Sequence, residues 1–128
     1  MKILQNNIFS STADLDDIPD EYKHGNCFVV ALHEFMKNPQ RYTLVHGIVE
    51  GQGPLEGVQY CHAWVLDESS DTVIDKTQPA GQQKFPAELY YNIGQIDITR
   101  EYDASDVMEM LDEYGTYGPW DPVFDNYA

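Results

Sequence analysis

At 128 residues, with 7 Lys+Arg against 22 Asp+Glu, the chain carries a formal net charge of −15, which argues against a surface built to bind nucleic-acid phosphates or an anionic membrane. The length suits a single domain over residues 1–128, with one core and no room for two. Two cysteines make no disulfide framework, no apolar stretch approaches the roughly 20 residues that span a bilayer, and residues 1–10 hold no apolar run with a cleavage pattern, so the expected compartment is a reducing cytoplasm.

Taken in order, the chain starts with a short apolar stretch and an acidic patch over residues 14–21, where Pro19 discourages a long helix. This reads as an extended arm, and residues 22–25 as a loop entering a helix. Asn26 is a suitable N-cap for that helix. Phe28, Leu32, Phe35 and Met36 recur at helical spacing and are expected to face the core, and Asn38-Pro39 ends the run because a residue before proline leaves the α region.

Residues 41–50 alternate as Tyr42, Leu44, His46 and Ile48 against Thr43, Val45, Gly47 and Val49, which predicts a central strand with two apolar faces. A loop opens at Gly51-Gln52-Gly53-Pro54 and runs to Gly57. Residues 58–66 and 72–76 read as two strands joined by a polar turn over 67–71. Beyond a turn at Pro79-Ala80-Gly81, Pro86 starts a short helix that Gly94 terminates, and residues 96–102 alternate as a strand. Asp103 and Asp106 form a capping-box pattern ahead of a helix whose apolar face is Val107, Met110, Leu111 and Tyr114, closed by Gly115. The tail from Tyr117 to Phe124 is aromatic, is broken by Pro119 and Pro122, and is expected to pack over its own core.

Cys27 stands on the first turn of the first helix, where unsatisfied backbone N–H groups and the positive end of the helix dipole favour a thiolate. A nucleophilic cysteine needs a base, and the base needs an orienting acceptor. His62 and Asp75 follow downstream, on strands joined by the turn near Ser69-Ser70. Counted outward from that turn, they fall within about one or two positions of facing each other, close enough for a cross-strand pair. Cys61 adjoins His62 and so points to the other face. Trp64 is expected in the core beneath the site. Zinc ligation by His24, Cys27, Cys61 and His62 is disfavoured, since adjacent strand residues do not share one ion and the spacing matches no finger.

The stretch from Gly25 to Thr77 resembles the transglutaminase-like branch of the papain-like cysteine enzymes. The resemblance lies in Gly25-Asn26-Cys27 with an apolar helix behind it, the strand Tyr42 to Val49, then His62-Ala63-Trp64-Val65, and Val73-Ile74-Asp75-Lys76-Thr77. It implies an α+β fold with the cysteine helix packed on an antiparallel sheet, extended here by a C-terminal helix and aromatic tail. It also implies acyl transfer at an amide or ester through a thioester, without a cofactor or metal, on a peptide or protein substrate. By that analogy Cys27 attacks, His62 serves as general base and then acid, Asp75 orients His62, and the backbone N–H of Cys27 is one oxyanion donor. Papain-like peptidases carry a glutamine upstream of the cysteine as the second donor. Here that region reads Asp20-Glu21-Tyr22-Lys23-His24, which leaves the Tyr22 hydroxyl or the Asn26 amide as substitutes.

The competing expectation comes from charge. An acidic binding or inhibitor protein on the same scaffold, with a vestigial triad, would use the −15 charge to engage a basic protein partner. The two differ in whether thiol and imidazole meet.

Overall fold

A computed structural model describes residues 26–127, so the acidic arm, the entry loop and with them Tyr22 and His24 lie outside the described residues. Helix α1 spans Cys27–Met36. Its buried stripe is Cys27, Val30, Ala31, Glu34 and Phe35, with Leu32 beside it. That is an i, i+3, i+4, i+7, i+8 row in phase with the cysteine. The expected phase placed Met36 inside, but Met36 is 48% exposed, and Phe28 is only half-buried. A charged residue masked the true row, because Glu34 is buried with its carboxylate 3.1 Å from the Lys37 ammonium. Asn26 occupies the N-cap, yet its side chain makes no capping bond.

Strand β1 (Tyr42–Glu50) pairs antiparallel with β2 (Gln59–Asp67) along its full length, from Tyr42 opposite Asp67 to Glu50 opposite Gln59. Arg41 grips Asp67 with two nitrogens, at 2.9 and 2.8 Å, where β1 begins and β2 ends. β3 (Thr72–Ile74) follows a tight turn, then β4 (Lys84–Pro86), which the sequence pattern did not reveal in so short a segment. β5 (Thr99–Tyr102) pairs with the far side of β1. The sheet order is β4-β3-β2-β1-β5, which makes β1 an interior strand. β3 and β5 are shorter than their alternation suggested: β3 ends at Ile74 and β5 begins at Thr99, while β2 and β1 run on beyond them.

Alternation sorts the sheet into two faces. One carries Leu44, Ala63, Val65, Ile74 and Tyr102 and is covered by α1, by α3 (Ala104–Tyr114) and by Trp120 of the tail. The other carries Val45, Val49, Trp64 and Val73, covered by Phe85, Ile96 and Tyr90 and Tyr91 of α2 (Ala87–Ile93). The capping box at Asp103 and Asp106 is formed, with Asp106 N–H donating to Asp103 Oδ1 at 2.8 Å, and Gly115 closes α3 in the left-handed region at φ 66°. Val107 is the residue of α3 that is fully buried. Tyr114, expected on that face, is 48% exposed. The tail packs on the core, with Trp120 and Phe124 buried. Among the described residues no helix is long and apolar enough to cross a membrane.

Gly47 stands opposite His62 in the β1–β2 register, and a Cβ there would come within 2.5 Å of Trp64 Cη2. The indole is wholly buried and has nowhere to move. Gly47→Ala should therefore destabilise the fold by about 1–3 kcal/mol through overpacking. Urea denaturation at neutral pH checks this, and an unchanged midpoint would contradict the close approach.

Candidate active site

His62 is held by its neighbours in β2 and by what lies across β3. β3 pairs with β2 only at Val65, Leu66 and Asp67, then ends at Ile74 where the sequence pattern predicted Lys76. Continuing that register sets Trp64 opposite Asp75. His62 is thus one two-residue step along from Asp75 and on the same face of the sheet. The early end of β3 frees the segment after Ile74 to turn, and the Asp75 carboxylate swings to meet the ring. His62 Nε2 donates to Asp75 Oδ2 at 3.0 Å.

Asp75 is 1% exposed and accepts bonds from four residues. Besides His62, Oδ2 takes the Tyr90 hydroxyl at 2.7 Å and Gln78 Nε2 at 3.2 Å, while Oδ1 takes the Thr77 N–H at 3.0 Å and the Thr77 hydroxyl. Burial alone would raise its pKa, but the hydrogen bond and charge of His62, with the Thr77 and Tyr90 hydroxyls, hold the carboxyl well below the usual carboxylate range. An ionised carboxylate is acceptor-only, so the ring must present N–H at Nε2, and Nδ1 is left for the thiol.

Cys27 is that thiol. Helix α1 covers the face opposite His62, but β2 has no neighbouring strand before Val65 on the β3 side. The Cys27 thiol comes close enough to the ring to raise the pKa of His62. Burial would lower the pKa of His62. Its bond to Asp75, the nearby Cys27 and the charges of both reverse this and push it up to about 10. Cys27 and Cys61 are both free thiols. Cys61 lies on the other face near Ile48 and Phe124, where burial and then the nearby Cys27 push its thiol up to about 12, so it is an inert neighbour.

The cavities lie on the His62 side, and Cys27 is in the lining of neither. Cys27 is 6% exposed, whereas His62 lines two adjoining cavities of about 290 and 330 Å³. Their walls are mainly apolar and aromatic, including Leu55, Tyr60, Phe85, Tyr90 and Ile93. Trp64 lies under the ring, 6.1 Å between centroids, wholly buried.

His46, whose role the sequence left open, belongs to the opposite face. It is 0% exposed among Phe28, Tyr102, Trp120 and Phe124, and neither ring nitrogen has a partner among the described residues. Burial pushes its pKa down to about 3. Among the described residues no group of three or more His, Cys, Asp or Glu side chains is placed to hold a metal ion.

The structure therefore brings together Cys27, His62 and Asp75, and places Asn26 half-buried beside Cys27 at the helix start. Sequence reasoning missed Tyr90 and Gln78. Thr77 left a trace, since a threonine two residues after an aspartate commonly closes such a side-chain turn. Tyr90 left none, being brought in by α2 from 15 residues away.

No family model, curated protein or solved structure matches this chain. Its geometry has to speak alone.

His62 should stay protonated through neutral pH and titrate near 10, while His46 stays neutral down to about 3. Because the folded pKa of His62 exceeds the ordinary histidine value of 6.5, its share of stability is fully present below 6.5 and lost as pH rises through about 10. Asp75 works in the other direction, contributing above the ordinary aspartate value of 3.8 and losing that share only as pH falls below it. Imidazole ¹⁵N NMR titration checks the assignment. Asp75→Asn should bring the His62 midpoint down, and a wild-type midpoint near 6.5 would contradict the described pairing.

Proposed function

We propose that the chain is a cysteine-dependent acyl-transfer enzyme with a papain-like or transglutaminase-like core, acting on an amide or ester through a thioester. The observation that supports this most is a single imidazole engaged on one side by a buried, ionised Asp75 and on the other by a thiol at a helix start. A structural histidine needs one satisfied partner. This one has two, of the types that nucleophilic catalysis requires, next to a cavity.

In the proposed reaction the Cys27 sulfur adds to the carbonyl carbon, and the carbonyl π pair moves to oxygen. Because His62 already holds its proton at neutral pH, its first task is to stabilise the thiolate and then to protonate the departing amine or alkoxide. The thioester remains on Cys27. His62, now neutral, takes a proton from water or an acceptor amine, which attacks the thioester carbon and releases the sulfur. Asp75 keeps the ring oriented and its charge balanced throughout, and its own proton affinity is too low for it to act as the base. Hydrolysis, deamidation and transfer to an amine share these steps.

The acidic-binder reading draws on the −15 charge, and it would require thiol and ring to be apart. The closeness of Cys27 to His62, enough to raise the pKa of the ring, favours the enzyme.

Cys27→Ala should abolish labelling by a thiol-reactive ester probe while circular dichroism stays unchanged, and equal labelling of the variant would overturn the reading. Asp75→Asn should slow Cys27 acylation by about 10²–10⁴-fold, the usual worth of acid–base catalysis, measured by stopped-flow absorbance with p-nitrophenyl acetate.

A further inference from the structure

An acyl-transfer site must stabilise the negative oxygen of its tetrahedral intermediate, and one backbone N–H at a helix start is rarely the whole arrangement. The polar groups around His62 can be taken one at a time. The Tyr90 hydroxyl, Gln78 Nε2 and the Thr77 hydroxyl all donate to Asp75. Trp64 Nε1 is directed to the Tyr91 hydroxyl at 3.4 Å, beneath the ring and away from solvent. The two hydroxyls and the indole have thereby spent their single donors, and Gln78, which keeps a second amide N–H, has its nitrogen tied to Asp75.

Tyr60 is different. It precedes His62 by two residues on β2 and so shares its face, with ring centroids 6.1 Å apart at 72°. It lines both cavities together with His62. Its hydroxyl makes no hydrogen bond among the described residues.

We propose that Tyr60 is a catalytic residue, whose hydroxyl donates a hydrogen bond to the substrate carbonyl oxygen as it becomes an oxyanion at the mouth of the cavity. The inference rests on the acyl-transfer reading above. Burial, and then the negative charges of Asp75 and Cys27, raise the pKa of Tyr60, so the phenol keeps the proton it must donate. Its placement also explains how the site manages without the upstream glutamine. The donor comes from the histidine's own strand, two positions back, where sheet geometry guarantees the common face. When the thiolate adds to the carbonyl carbon, the oxygen takes the π pair and the Tyr60 O–H bond points its proton at that charge. The proton is shared and not transferred, so no further reactant is needed when the intermediate collapses.

Two probes of one nucleophile separate this role from a structural one. p-Nitrophenyl acetate acylates Cys27 through a tetrahedral oxyanion. Iodoacetamide alkylates the same sulfur by displacement of iodide, with no oxyanion formed. Tyr60→Phe removes only the hydroxyl, which has no partner among the described residues to leave orphaned, so the fold should hold, as thermal denaturation will report. The variant is expected to acylate about 10²-fold more slowly than wild type while alkylating at an unchanged rate. Unchanged acylation would overturn the proposal. So would an equal loss in both reactions, because Tyr60 would then act only by positioning Cys27 or His62. A wild-type protein whose Cys27 reacts readily with iodoacetamide but is never acylated would instead defeat the acyl-transfer reading, and the inference with it.

Discussion

The site depends on one buried carboxylate. Asp75 has been taken out of water, which is costly for a charge unless hydrogen bonds replace the lost solvent. Five donor groups do so here, from His62, Thr77, Gln78 and Tyr90. Once satisfied, the carboxylate imposes its charge on the ring beside it, and the ring in turn meets Cys27. Removing a donor from Thr77, Gln78 or Tyr90 weakens the field at the thiol without touching the thiol.

The contrast with His46 shows how much a partner decides. Both histidines are buried on neighbouring strands, one on each face of the same sheet. His46 sits among rings and without a charge nearby, and burial alone keeps it neutral down to about pH 3. His62 suffers the same desolvation yet holds its proton to about pH 10, because Asp75 and Cys27 outweigh it. Burial sets the cost of the charge, and the neighbours determine whether that cost is met.

The sheet supplies the second condition. A helix on one face and a histidine on the other would normally be separated by the backbone between them. β3 stops at Ile74, so β2 lacks a neighbouring strand beside His62 on that side. The thiol at the start of α1 comes close enough to the ring to raise its pKa. The same early ending lets Asp75 leave the strand and turn with Thr77, placing one carboxylate at the end of a truncated strand and one thiol at the start of a helix. A longer β3 would pair this stretch of β2 and hold Asp75 in the strand.

Much of this was legible along the chain. The strands at 41–50 and 58–66, the turn between 67 and 71, the Asp103 cap and the Gly115 stop were all signalled by local chemistry, because alternation, turn residues and capping act over a few neighbours. Cys27, His62 and Asp75 were recognisable as types in a suitable order. The helix phase was misread at Met36 because the buried row includes Glu34, whose burial depends on Lys37 and on the sheet beneath. Local pattern by itself determined the elements, the residue types and the parity that gives Tyr60 and His62 a common face. The tertiary structure decided where β3 would end, that Tyr90 would reach Asp75 from a helix 15 residues on, and which histidine would be charged. Those outcomes depend on desolvation and on contacts between segments far apart in the chain, and no window of sequence contains either.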